Sequence, residues 1–291
     1  MQGWLACGGQ MGLLKILKLE ASQSTEESAP KGVAAPSNIS TNQNLDGHSG
    51  NVIAVSWNDP FQKLASADDD GLIIVWALYD NQGNSSSTWQ EEMINNRNQS
   101  YVNSMKWTAD GQLIYILYHD GAVILGTVEG TRLWSIKLDT SFKFMEWSSA
   151  TSEILFVTDS NVIKVYDEMG KYQKDIKLTL PPSQHKTKCD SEKKQIIGFK
   201  LHCGDDMDTH DQYVPNLAIA YDDCSIELRK SIDINDDPIC FHSGITHLLH
   251  CAWNRNGTIL ALCGRQSNVE EGTESFFPPL IYTFNTYCLL E

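Results

Sequence analysis

The chain has 291 residues, with 22 Lys and Arg against 37 Asp and Glu, a net charge of −15. That is the wrong sign for a surface that neutralises phosphates by counterion release, so nucleic acid and anionic membrane are excluded as expected partners. Eight cysteines fall at 7, 189, 203, 224, 240, 251, 263 and 288 with no C-x-x-C pair, so neither a disulfide framework nor a zinc module is expected, and the thiols read as reduced and cytosolic.

The N-terminus carries no basic-then-apolar signal and no run approaches the ~18 apolar residues of a membrane span, so no direct membrane insertion is expected. Residues Trp4–Leu17 read as two short strands around Gly8-Gly9 and Gly12. Residues 21–44, rich in Ser, Thr, Asn, Ala and Pro, read as an exposed linker. The apolar segment Asn51–Asn58 then ends in Trp57 followed by a small polar residue, which suits a strand entering a tight turn. The same pattern returns in Tyr101–Thr108, Ser141–Ser148 and Ile245–Asn254.

A second element follows each of these: a strand, a turn and another strand. Lys63–Trp76 and Leu113–Leu125 are the clearest copies, with Asp70-Gly71 and Asp120-Gly121 between apolar runs. Asp-Gly there is a hairpin signal, because Gly tolerates positive φ and Asp caps the turn. Phe156–Tyr166 and Leu217–Leu228 are weaker copies.

Trp57, Trp107, Trp147 and Trp253 stand 50, 40 and 106 residues apart, the last equal to two units of about 53. The missing copy is expected near residue 200, where Ile196–Leu201 places Leu201 in the Trp position. A four-stranded unit every ~40–50 residues is the signature of propeller blades. The expectation is therefore an all-β, WD-repeat-type β-propeller occupying 1–291 as a single partial domain. About six blades are expected, near 1–20, 45–80, 90–130, 132–170, 172–230 and 232–291, with incomplete terminal blades and a ring that need not close. A second exposed linker is expected at 181–194.

Few residues invite chemistry. His185 with Cys189, His202 with Cys203, and His247, His250 and Cys251 lack a second pair at zinc spacing, and no G-x-S-x-G, Walker, G-x-G-x-x-G or H-E-x-x-H motif occurs. No cofactor, metal or catalytic residue is expected, and the chain reads as non-enzymatic. Asp68, Asp69 and Asp70 read as a solvated turn.

Gly47-His48 precedes the best blade, which ends in Val75-Trp76, and in this it resembles the WD-repeat family. The resemblance implies a buried structural network of His48, Ser66, Asp70 and Trp76, complete in one blade only. The stretch Trp89–Trp107, with Ala6-Cys7-Gly8-Gly9, Gly12–Lys15, Ala34–Asn38, Gly47–Gly50 and Gly71–Trp76, resembles the N-terminal propeller of the WD-repeat subunit of intraflagellar transport complex A of about 121 kilodaltons. That resemblance implies a scaffold for retrograde ciliary transport, cilium assembly and delivery of membrane proteins. Its partners would be the other subunits of the complex and membrane-protein cargo or its adaptors. It would work at the cilium, the basal body and in the cytoplasm, and the family's second propeller and helical solenoid would be absent from this chain. The polar residues Glu91, Glu92, Asn95, Asn96, Arg97 and Asn98, on an outer strand and turn around an expected buried pair Met93 and Ile94, are the candidate partner surface. A generic adaptor, such as a ubiquitin-ligase substrate receptor, fits the repeats but not the Trp89–Trp107 stretch.

Overall fold

The computed structural model describes residues 3–20, 38–80, 87–97, 100–148, 151–178, 194–202, 217–230, 232, 238–254, 257–265, 267–268, 275–276 and 280–285. Every regular element among them is a β-strand. They group into two compact units, Met1–Asp139 and Thr140–Glu291.

The first unit holds three antiparallel meanders. They are β1 (Trp4–Gly8), β2 (Leu14–Glu20) and β3 (Asn38–Asn44); β4 (Val52–Asn58), β5 (Lys63–Asp68), β6 (Leu72–Asp80) and β7 (Ser87–Asn96); and β8 (Val102–Trp107), β9 (Leu113–Tyr118), β10 (Ala122–Thr127) and β11 (Arg132–Lys137), each sheet ordered as the chain runs. The middle strands read as near-continuous apolar runs because sheets cover them on both faces. Strand alternation divides those residues between two cores. On β5 and β6, Ala65, Ala67, Ile73 and Val75 face Met105, Trp107, Ile114 and Ile116 of the third sheet. Their neighbours Leu64, Ile74 and Trp76 face Leu14 and Ile16 of the first.

The second unit repeats the plan. It contains β12 (Phe142–Ser148), β13 (Glu153–Thr158), β14 (Val162–Asp167) and β15 (Tyr172–Lys177), then β16 (Ile196–Leu201), β17 (Leu217–Tyr221), β18 (Ser225–Arg229) and β19 (Ile239–His242). A last sheet joins β20 (His247–Trp253) and β21 (Ile259–Arg265) to a strand that follows a two-stranded ladder, β22 (Ser267–Asn268) with β23 (Ser275–Phe276); that third strand is β24 (Leu280–Asn285). Leu155, Val157, Ile163 and Val165 pack on Phe199, Leu217 and Ile219. On the other face of the same sheet, Ala218, Ala220, Ile226 and Leu228 pack on Leu248, Leu260 and Leu262.

Within each unit the first strands of successive sheets lie side by side, β4 against β8 and β16 against both β12 and β20. A recurring Trp links two of these pairs, β8 to β4 and β20 to β16. The Trp107 indole Nε1 donates to the Ser56 carbonyl at 3.2 Å, and Trp253 Nε1 donates to the Lys200 carbonyl at 3.2 Å. Both acceptors sit one residue before the end-of-strand position of the preceding sheet, Trp57 and Leu201, so the two bonds are equivalent. The polar residue after the Trp closes the turn. Phe61 N donates to Asn58 Oδ1, Leu113 N to Thr108 Oγ1, and Ile259 N to Asn254 Oδ1, at 3.1, 3.1 and 2.9 Å. All five first strands also carry a bulge near their start, at Val52/Ala54, Val102/Ser104, Phe142/Phe144, Ile196/Gly198 and Leu248/His250.

Three expectations need correction. Five sheets open on this bulged strand and the first, of three strands, does not, so among the described residues there are five such blades where about six were expected. The expected blade boundaries also misplace the outer strands. β3 belongs to the first sheet, β7 entirely to the second, β11 to the third and β15 to the fourth. These strands are polar and exposed, for instance Arg132–Lys137 and Tyr172–Lys177, so they lack the alternating apolar signal. Finally, residues 38–44 of the expected first linker form β3. There Gln43 clips two sheets together, its Nε2 donating to the Trp89 carbonyl at 2.7 Å and its Oε1 accepting from Trp89 N at 2.9 Å. Residues 21–37 and 181–193 of the two linkers lie outside the described residues.

Candidate functional site

The second sheet builds a polar cluster in its interior. Ser66 and Asp68 are two residues apart on β5 and share a face, and His48 reaches over them from the segment before β4. His48 Nδ1 lies 2.8 Å from Asp68 Oδ2 and its Nε2 lies 2.7 Å from Ser66 Oγ. The Trp76 indole donates to the same Ser66 oxygen at 2.8 Å, and Ser66 Oγ is 3.3 Å from the Ile74 carbonyl. Neither the His48 nor the Asp68 side chain is more than 1 % exposed. With Nδ1 protonated toward the carboxylate, Nε2 accepts from Ser66, and every member is satisfied, which is the condition for burying such groups without cost.

The cluster corrects one expected member. The acid is Asp68 and not Asp70. Asp70 sits at the exposed tip of the hairpin, where its backbone N donates to Asp68 Oδ1 at 3.1 Å; Leu72 N donates to the same oxygen at 2.9 Å. One carboxylate thus closes the turn and anchors the histidine. Gly71 completes it with φ of +90°, and a side chain there would meet the Arg97 carbonyl at 2.5 Å. Among the described residues this four-membered arrangement occurs once.

The polar surface on β7 proves mixed. Glu91, Glu92, Asn95 and Asn96 are exposed, and Asn98 lies outside the described residues. Glu92 is the bulge residue opposite Val75 and Trp76, and its carboxylate pairs with Lys63 Nζ at 2.6 Å. Met93 is half-buried against the core shared with the third sheet, whereas Ile94 is 54 % exposed, so the expected buried pair is not formed. Arg97 is already engaged. Its Nη1 and Nη2 donate to Asp120 Oδ1 and Oδ2 at 3.1 and 2.7 Å, and its guanidinium lies 4.7 Å from the Tyr118 ring centroid. Burial works against the charge on Asp120, but the Ala122 amide and the Arg97 guanidinium outweigh it and hold the carboxyl below its ordinary range. Arg97 therefore ties the β7 end to the β9–β10 hairpin of the next sheet.

Other polar groups were not foreseen. In the fifth sheet Tyr221 OH donates to Glu227 Oε2 at 2.6 Å while Arg229 Nε donates to Glu227 Oε1, all three residues being buried. Burial, with the Glu227 carboxylate second, raises the Tyr221 phenol far above its usual range. The i, i+2 spacing of Glu227 and Arg229 inside a buried strand was the available signal. Burial also pushes the Cys251 thiol up to about 11, while His247 and His250 stay exposed. Among the described residues no three metal-ligating side chains converge. No helix among them is long and apolar enough to cross a membrane.

What unites these features is the repeating blade: a bulged first strand, a Trp link to its predecessor, and a His-Ser-Asp-Trp cluster in one copy. The model of the WDR35/TULP4 N-terminal β-propeller matches residues 1–287. The chain belongs to this family. It is 40% identical to human WD repeat-containing protein 35 over 266 residues, which is 91% of the chain and 21% of that protein. The Rattus norvegicus WD repeat-containing protein 35 is 39% identical over 93% of the chain and 22% of its own length. Human Tubby-related protein 4 is 26% identical over 93% of the chain and 17% of its own length. The chain thus spans about a fifth of the length of these relatives. A chain in the crystal structure of the mitotic checkpoint complex shares the fold, with a TM-score of 0.60, 14% identity, and coverage of 90% of this chain and 68% of that one. Family membership bears out the propeller class and the WD-repeat resemblance.

Proposed function

We propose that this chain is a non-catalytic interaction platform of intraflagellar transport complex A, supporting retrograde ciliary transport, cilium assembly and delivery of membrane proteins to the cilium. The observation that carries the reading is the 40% identity to WD repeat-containing protein 35 along nine-tenths of the chain. The geometry supports the non-catalytic part. The most elaborate polar cluster, around His48, is sealed from solvent and closed on itself, so its chemistry holds strands together and offers no atom to a substrate. Among the residues the first unit presents to solvent are Glu91, Asn95 and Asn96 of an outer strand.

On this reading the partners are the other subunits of the complex and membrane-protein cargo or its adaptors, and the protein works at basal bodies, in cilia and in the cytoplasm. Nucleic acid is not a partner of a chain with net charge −15. The test is a tagged full-length form in ciliated cells, followed by imaging and by affinity capture with mass spectrometry. Recovery of transport-complex subunits with signal at basal bodies and cilia is expected. Absence from both compartments, or recovery of ubiquitin-ligase subunits in their place, overturns the proposal.

A further inference from the structure

A cleft of about 50 Å3 lies between the second and third sheets and opens toward solvent. Ile73, Val75, Trp107 and Ile114 line its apolar depth, and Asn95 and Arg132 stand among its lining residues from the outer strands β7 and β11. Two features set it apart from ordinary inter-sheet core. The first lies at Gly126, whose mirror in a packed sheet would be a side chain. A Cβ built there meets nothing nearer than Ile114 Cγ2 at 3.6 Å, with no positive φ to forbid a larger residue. The second is the polar pair. Arg132 and Asn95 are exposed and have no side-chain hydrogen bond or ion pair among the described residues, whereas the neighbouring Lys63 is held by Glu92 and by the Val128 carbonyl.

We propose that this cleft seats an aliphatic side chain of a partner protein whose adjacent carboxylate pairs with Arg132. The site deepens the interaction-platform reading and rests on it. The apolar lining selects for a Leu- or Met-like side chain, because transfer out of water is the only gain available there. The guanidinium fork matches a carboxylate bidentately. The Asn95 amide offers a donor and an acceptor to the backbone of the incoming segment. With net charge −15 on the chain, long-range steering of an acidic segment is unfavourable, so an Arg with no internal partner is the local feature that reverses the preference.

The test is fluorescence polarisation of labelled hexapeptides, Ser-Gly-Asp-Leu-Gly-Ser and its Met form, titrated with the full chain. Control peptides replace Leu by Ala, or Asp by Asn or Lys. The Asp-Leu and Asp-Met peptides are expected to bind about tenfold or more tightly than any control. Gly126→Leu fills the cleft and should abolish binding. Arg132→Glu, an exposed change that leaves the core intact, should transfer the preference to the Lys-Leu peptide. No preference for Leu over Ala, binding unchanged by Gly126→Leu, or an Asp preference that survives Arg132→Glu would each overturn the proposal. Failure of the peptides leaves capture of transport-complex subunits unaffected, and failure of that capture leaves the peptide preference measurable, so the two readings fail separately.

Discussion

Replacing Asp68 by Ala tests which acid serves the second sheet. The carboxylate accepts from His48 and from the amides of Asp70 and Leu72. Its loss strands a buried imidazole N–H, at a cost of about 1–3 kcal/mol for an unpaired buried donor, and opens the hairpin as well. Losing the two amide bonds of the turn adds to this, and the expected destabilisation is about 3–4 kcal/mol. At roughly 2–4 °C per kcal/mol for a domain of this size, the melting point should fall by about 10 °C. Asp70→Ala removes an exposed carboxylate at the hairpin tip and should cost no more than about 0.5 kcal/mol. Urea unfolding followed by tryptophan fluorescence gives both values. Hydrogen exchange at Leu72 should speed up in Asp68→Ala and stay unchanged in Asp70→Ala. Equal effects of the two substitutions, or a larger effect of Asp70→Ala, would refute the assignment.

Trp107→Phe and Trp253→Phe keep the aromatic packing and remove the indole donor to the Ser56 and Lys200 carbonyls; each should cost about 1–2 kcal/mol in urea unfolding, and additively, since the links lie in different units. Because the folded-state pKa of Asp120 lies below its ordinary value, its stabilising contribution is full above the unfolded value near ~3.9 and is lost as pH falls through the folded one. The melting difference between the parent chain and Asp120→Asn should therefore be constant from pH 7 to 5 and shrink below pH 4. At pH 8 a maleimide should label exposed Cys7 long before buried Cys251, whose thiol is raised to about 11, as peptide mapping of the labelled protein will show.

The strands legible in the sequence are those with a reason to be regular in pattern. Trp57, Trp107, Trp147 and Trp253 mark first strands, and at Trp107 and Trp253 three constraints meet: the indole link, the turn-closing polar residue and the apolar face. Leu201 was placed from spacing alone, and β16 ends on it. The outer strands were not legible, since Asn38–Asn44 is held by ladder bonds and by Gln43 and not by buried side chains. The WD-repeat resemblance points to the turn acid Asp70, yet the two-residue period of β5 puts Asp68 on the Ser66 face. The same period forbids Met93 and Ile94 from being buried together on one face. The engagement of Arg97 was invisible, because its partner Asp120 lies 23 residues away in another sheet.

The tryptophan link has a consequence for how such a chain grows and drifts. In both links the donor is a side chain carried by the later blade, but the acceptor on the blade before it is a peptide carbonyl, which every residue supplies. A duplicated unit therefore arrives with its own attachment and asks nothing of the sequence it joins. Each blade is free to diverge so long as its backbone keeps its path, and a copy ending in Leu201 can still receive the next one through Lys200.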